Sequence, residues 1–194
     1  MATFVLIHGG GGSAWDWHLV VPALHERGHD AVTVDLPRED PAAGWWTYVD
    51  TVVRAMCDRR RLVVVGHSLG AFTAPLVSAR LPVELLVLLA GLIPSPGELF
   101  SEWWRNVGYE SPGYDDVFYH DVPPELAAEA QRRESHEASR ALNEPWPLDA
   151  WPDVPRGTSS AATIACSRRH GRAVTPASAS GSRPTRSTAA TTSR

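Results

Sequence analysis

The sequence predicts an α/β architecture in which a parallel sheet is covered by helices on both faces. Three observations carry that prediction. Four short apolar runs, Thr3–Ile7, Ala31–Val34, Leu62–Val65 and Val83–Ala90, alternate with stretches whose apolar residues recur at helical spacing. The runs are continuous rather than alternating, as expected of strands buried on both faces. Glycine clusters follow the first and third runs directly, marking tight turns where strands give way to helices. The chain has 194 residues, enough for one domain with its own core.

In chain order, Thr3–Ile7 runs into His8-Gly9-Gly10-Gly11-Gly12-Ser13. A glycine run directly after a strand lets backbone N–H groups approach a reacting atom. A flexible turn or a phosphate loop is the other reading, although the lysine of a P-loop is absent. Trp17, Val20, Val21 and Leu24 then fall at helical spacing and Gly28 ends that helix, while His25 and His29 read as surface residues. Trp15 and Trp17 read as packing residues. Ala31–Val34 follows as the second strand and Trp45–Cys57 as a helix.

The third strand leads into Gly66-His67-Ser68-Leu69-Gly70, and the small-residue helix Ala71–Arg80 starts at once. Strand, sharp turn and helix in that order leave Ser68 at the tip of the turn. The flanking glycines allow a reversal too tight for a Cβ. The helix directs its free N–H groups and the positive end of its dipole at charge forming beside Ser68. From Gly91 to Leu148 the pattern changes, with proline and aromatic residues crowding together before a charged, alanine-rich helix expected over Pro124–Leu142. Trp103, Trp104, Tyr109, Tyr114, Phe118 and Tyr119 either line an apolar pocket or pack this segment on itself. Asp115, Asp116, His120 and Asp121 read as a solvated face.

The G-x-S-x-G turn in this setting resembles the nucleophile elbow of α/β-hydrolases, with Ser68 as the catalytic serine. His8-Gly9, the AWDW run at 14–17, Gly28-His29 and Asp35-Leu36-Pro37 add a resemblance to small-cap esterases, the group related to plant methyl esterases and hydroxynitrile lyases. The resemblance implies an oxyanion hole formed by the backbone N–H groups of Gly10 and Leu69. It also implies a small cap over the site, no cofactor, no metal, and a small apolar ester or related carbonyl as substrate. The chain then divides into the first part of the core (1–90), the cap (91–148), a return to the core (149–155) and a tail (156–194). The last strands and helix of the fold are missing.

The family order places an acid and then a histidine after the cap. Residues 156–194 contain neither Asp nor Glu, no aromatic residue and no leucine, and their single histidine is His170. That composition reads as disordered. The seven arginines of the tail give it +7, whereas residues 1–155 carry eleven arginines against 22 acidic residues, a net −11. Without aromatic residues to stack on bases, the basic tail predicts no specific nucleic-acid partner. Pairing the third base of each codon with the first two of the next lets Pro155–Arg168 encode a strand ending in aspartates. The same shift lets Gly181–Arg194 encode a glycine-flanked histidine. The tail is therefore read as frameshifted or truncated, with the strand before Gly91 left as an exposed edge and Ser68 lacking its base. The alternatives are a non-catalytic protein that binds a small ligand, and a product without function.

No run of about 18 apolar residues is present, and the first residues lack the basic start of a signal peptide. Cys57 and Cys166 form neither a zinc spacing nor a disulfide framework. These features predict a cytoplasmic protein that does not enter the membrane.

Overall fold

The computed structural model describes residues 1–56, 58–109 and 118–159. Its centre is a five-stranded parallel sheet in the order β2-β1-β3-β4-β5. The strands are β1 (Thr3–Ile7), β2 (Asp30–Val34), β3 (Leu62–His67), β4 (Val83–Leu89) and β5 (Arg156–Ser159). β1 pairs β2 on one side, from Thr3 opposite Asp30 to Ile7 opposite Val34, and β3 on the other, from Thr3 opposite Leu62 to Ile7 opposite Gly66. The chain reverses its direction of travel across the sheet between β1 and β3. Parallel sheets open a crevice at their carboxyl edge at such a point.

The period of two along β3 divides the core. Leu62 and Val64 pack with Val5, Ile7, Leu86 and Leu88 beneath α2 (Trp45–Met56) and α3 (Gly70–Ser78). Val63 and Val65 pack with Leu6 and Trp17 on the other face, where α1 (Val20–Glu26) supplies Val21 and Leu24. All nine residues of α3 are buried, which accounts for a helix of small and apolar residues all round. The four predicted strands form, and Trp17 is buried as expected of a packing residue. His25 is exposed, but His29 is half-buried, its Nδ1 accepting from Ala2 N–H at 3.3 Å and its ring meeting Phe4 edge-on.

Two expectations need correcting. The helix expected over 124–142 is α5, Pro124–Arg133, and it stops nine residues early. Residues 134–139 leave as an extended strap that leads into a 3₁₀ turn, Arg140–Asn143. Tertiary hydrogen bonds draw the backbone out of the helix: Ser135 N–H donates to Gly11 O, and Ala138 and Ser139 N–H both donate to Arg38 O. The edge of β4 is also not exposed, because residues 156–159, expected to fall outside the fold, pair with Leu86–Leu89 as β5. Backbone pairing does not require apolar side chains, and all four β5 residues are exposed. Residues 160–194 lie outside the described residues.

α4 (Phe100–Asn106) and α5 belong to the segment expected to form the cap. There Trp104 touches Phe100, Trp103 and Tyr109 through ring contacts, and Phe118 is exposed. His120 and Asp121 are exposed, whereas Tyr114, Asp115 and Asp116 lie outside the described residues. Trp146 is 1% exposed and shares the core with α2 and α3.

Candidate active site

The turn from β3 into α3 is built by close approach. Ser68 sits at φ +50°, in the left-handed region that non-glycine residues seldom occupy. A Cβ on Gly66 would lie 2.7 Å from Gly70 O and 2.8 Å from Ala74 Cβ, and one on Gly70 would lie 2.6 Å from His8 O. Any larger residue at either position would force β3, α3 and the end of β1 apart. The strained backbone of Ser68 is over-determined by its hydrogen bonds. Its N–H donates to Leu89 O at 3.1 Å, and its carbonyl accepts from Ala71 N–H at 3.0 Å and Leu92 N–H at 3.1 Å.

The glycine loop after β1 lies against this turn. An ideal Cβ on Gly9 would meet Ser68 Cβ at 3.1 Å, and one on Gly10 would meet the Leu69 side chain at 3.2 Å. Neither the Gly10 nor the Leu69 N–H has an acceptor among the described residues. Ser68, Gly10 and Leu69 are thus brought together at the carboxyl edge of the sheet. The loop is fastened beyond them by a capping box, in which Ser13 and Asp16 exchange side-chain-to-backbone hydrogen bonds, and by Ala14 N–H donating to Asp35 Oδ1 at 2.8 Å.

Sequence reasoning missed the role of His8. The residue is 1% exposed, and its Nε2 accepts from Leu36 N–H at 3.1 Å. Nδ1 therefore carries the proton and donates it to Gly9 O at 2.7 Å. Burial holds the imidazole below the usual histidine range against the opposing pull of the Gly9 carbonyl, and the Arg38 charge lowers it further. A neutral ring thus ties the glycine loop to the loop after β2. The only sequence signal was a histidine ending a buried strand.

His67 precedes Ser68 but serves the other face of the sheet, its ring edge-on to Trp17 at 6.2 Å. Burial also holds this imidazole below the usual range, with Asp16 opposing. Among the described residues no histidine or carboxylate is hydrogen-bonded to the Ser68 hydroxyl. The arrangement offers a strained, half-buried hydroxyl beside two unpaired N–H groups. Acyl transfer uses such a set when a base is also at hand. Among the described residues no group of three His, Cys, Asp or Glu is placed to hold a metal, and no helix is long and apolar enough to cross a membrane.

Comparison with known proteins supports this fold. Residues 4–189 match the model of the alpha/beta hydrolase family, so the match runs into the segment whose composition stands apart. The probable esterase PIR7A of Oryza sativa is 36% identical over 107 residues, covering 49% of this chain and 41% of the relative. Polyneuridine aldehyde esterase of Rauvolfia serpentina is 30% identical over 105 residues, covering 48% and 40%. The chain thus spans less than half the length of these relatives. Among solved structures, an extracellular alpha/beta-hydrolase from a Paenibacillus species superposes with TM-score 0.70 at 19% identity, covering 82% of this chain and 77% of that one. A polyneuridine aldehyde esterase structure superposes with TM-score 0.66 at 18% identity, covering 82% and 80%. At these identities the superpositions speak for the fold.

Proposed function

Because this chain belongs to the α/β hydrolase family, we propose that it is a serine hydrolase acting on a small apolar ester or related carbonyl compound. Ser68 Oγ attacks the carbonyl carbon and gives its proton to water, and the oxygen that becomes negative is received by the N–H groups of Gly10 and Leu69. Collapse expels the alcohol, which takes up a proton, and leaves an acyl-enzyme that water hydrolyses. The observation that carries the proposal is the strained Ser68 at φ +50°, with the glycine loop held against it. The relatives named as esterases support the reaction class.

In this family the acid and histidine follow the cap. After residue 148 this chain offers Asp149 and Asp153, and from Arg156 onward it offers His170 and no Asp or Glu. Without the base, the oxyanion donors and substrate binding sustain only slow turnover. The place of action we propose is the cytoplasm, and the partner a small molecule rather than a nucleic acid. The test is hydrolysis of a short activated ester, 4-nitrophenyl acetate, by the purified full chain. Slow release of 4-nitrophenolate is expected, with loss on Ser68→Ala. Unchanged release in that variant overturns the assignment.

The Ser68 hydroxyl, without a partner among the described residues, favours one second reading, a protein that binds a small ligand without turning it over. It is distinguished by a ligand-induced rise in the thermal midpoint without product.

A further inference from the structure

Among the described residues, seven exposed arginines are ion-paired while the one buried arginine is not, the reverse of the usual rule that buried charges are paired. Arg59, Arg61, Arg80, Arg105, Arg132, Arg133 and Arg140 have exposed side chains, and each forms an ion pair. Arg38 is 8% exposed, and its guanidinium has no hydrogen bond or ion pair among the described residues. Its Nε is wholly buried and unsatisfied. Burying a cation without a counter-charge is costly, whereas exposed pairs contribute little. A position of this kind suits an anion that arrives from outside.

The place of Arg38 indicates which anion. It lies in the loop after β2, at the same carboxyl edge as Ser68, and β1 alone separates β2 from β3, so the two strands lie about 10 Å apart. Its backbone is fixed, because its carbonyl accepts from Ala138 at 2.8 Å and Ser139 at 2.9 Å. Its charge is felt at His8, which holds the glycine loop, and at the Tyr48 hydroxyl. A cleft of about 400 Å³ is lined by residues 35–40. Asp35, Glu39 and Asp40 border it too, but they are exposed, and Asp35 and Asp40 already accept from Ala14 and Ala42 N–H. Water screens exposed carboxylates, whereas the buried guanidinium acts at lower dielectric. With three carboxylates at the rim, a single negative charge is tolerated better than a phosphate dianion. A planar carboxylate also matches the guanidinium fork.

We propose that Arg38 anchors a carboxylate on the substrate, so that the preferred ester is a half-ester of a short dicarboxylic acid, its free carboxylate on Arg38 and its ester carbonyl at Ser68. This deepens the hydrolase reading and rests on it for the role of Ser68. The experiment uses the full chain and two 4-nitrophenyl alkylphosphonates, one ending in a methyl group and one in a carboxylate. In labelling, a Ser68 Oγ–P bond forms, 4-nitrophenolate leaves and the serine proton goes to solvent. The carboxylate reagent is expected to label Ser68 about tenfold faster, about 1.4 kcal/mol. In Arg38→Gln the ratio of the two rates should fall to near one, while Arg38→Lys should keep part of the preference. A ratio unchanged in Arg38→Gln overturns the anchor. Labelling by neither reagent defeats the hydrolase reading instead. The anchor is then decided by the thermal shift with monomethyl glutarate against neutral dimethyl glutarate. A shift specific to the acid that Arg38→Gln abolishes upholds it, and no difference between the two compounds in the parent chain refutes it. Loss of an unpaired buried cation should also leave the thermal midpoint of Arg38→Gln no lower, unlike loss of an arginine with a structural role.

Discussion

His8 and His67 lie beside each other at the carboxyl ends of β1 and β3, and burial lowers the affinity of both for protons. In the unfolded chain each titrates near the ordinary histidine value of about 6.5. As pH falls below that value, the unfolded chain takes up protons that the folded chain refuses. The stability these residues confer is therefore complete above about pH 6.5 and declines as pH falls toward their folded values. The slope is at most about 1.4 kcal/mol per pH unit for each histidine. Urea midpoints measured between pH 7.5 and 5.5 should fall toward acid, and His8→Gln should flatten that fall. The same slope in His8→Gln and His67→Gln would show that neither ring is buried neutral.

At the scale of elements, side chains reaching for backbone carbonyls decide how the segment after α4 is docked. Indole N–H groups serve as pins: Trp45 donates to Glu144 O at 3.1 Å, Trp146 to Phe72 O at 2.9 Å and Trp151 to Pro94 O at 3.0 Å. Tyr48 does the same for the strap from within α2. Its hydroxyl donates to Glu137 Oε1 at 2.5 Å and takes a hydrogen bond from Ser139 at 2.6 Å. Burial, then the Glu137 carboxylate, raise its pKa far above the usual tyrosine value, so it remains a donor at every working pH. Tyr48→Phe should cost about 1–3 kcal/mol of stability by leaving buried partners unsatisfied. Denaturant unfolding that detects no loss would mean the strap does not depend on this hydroxyl.

For the whole molecule, β5 closes one side of the sheet with backbone bonds alone, including Leu86 N–H to Pro155 O at 2.9 Å and Ala90 N–H to Ser159 O at 2.8 Å. Beside it, the Leu85 side chain on β4 is 36% exposed. A chain ending at Ser159 should keep the urea midpoint of the full chain, because residues 160–194 carry no aromatic residue and no leucine to bury. A chain ending at Pro155 should unfold earlier and aggregate, since the edge of β4 would be bare. Equal midpoints for the two truncated chains would show that β5 contributes nothing.

The sequence by itself determined the strands, the alternation with helices and the elbow, because continuous apolar runs and glycines at fixed offsets act through local backbone geometry. Ser68 could be named from that pattern, Gly10 and Leu69 only through the resemblance to α/β-hydrolases, and the structure brings the three into one corner. The sequence also set the composition break at Arg156, but it placed the limit of the sheet four residues too early, since strand pairing leaves no mark in side chains that stay in water. Only the tertiary structure decided the tautomer of His8, the early end of α5 and the unpaired burial of Arg38. Each depends on groups distant in the chain, Leu36 on His8, Gly11 on Ser135 and the 138–139 strap on Arg38, and such partners have no spacing to be read.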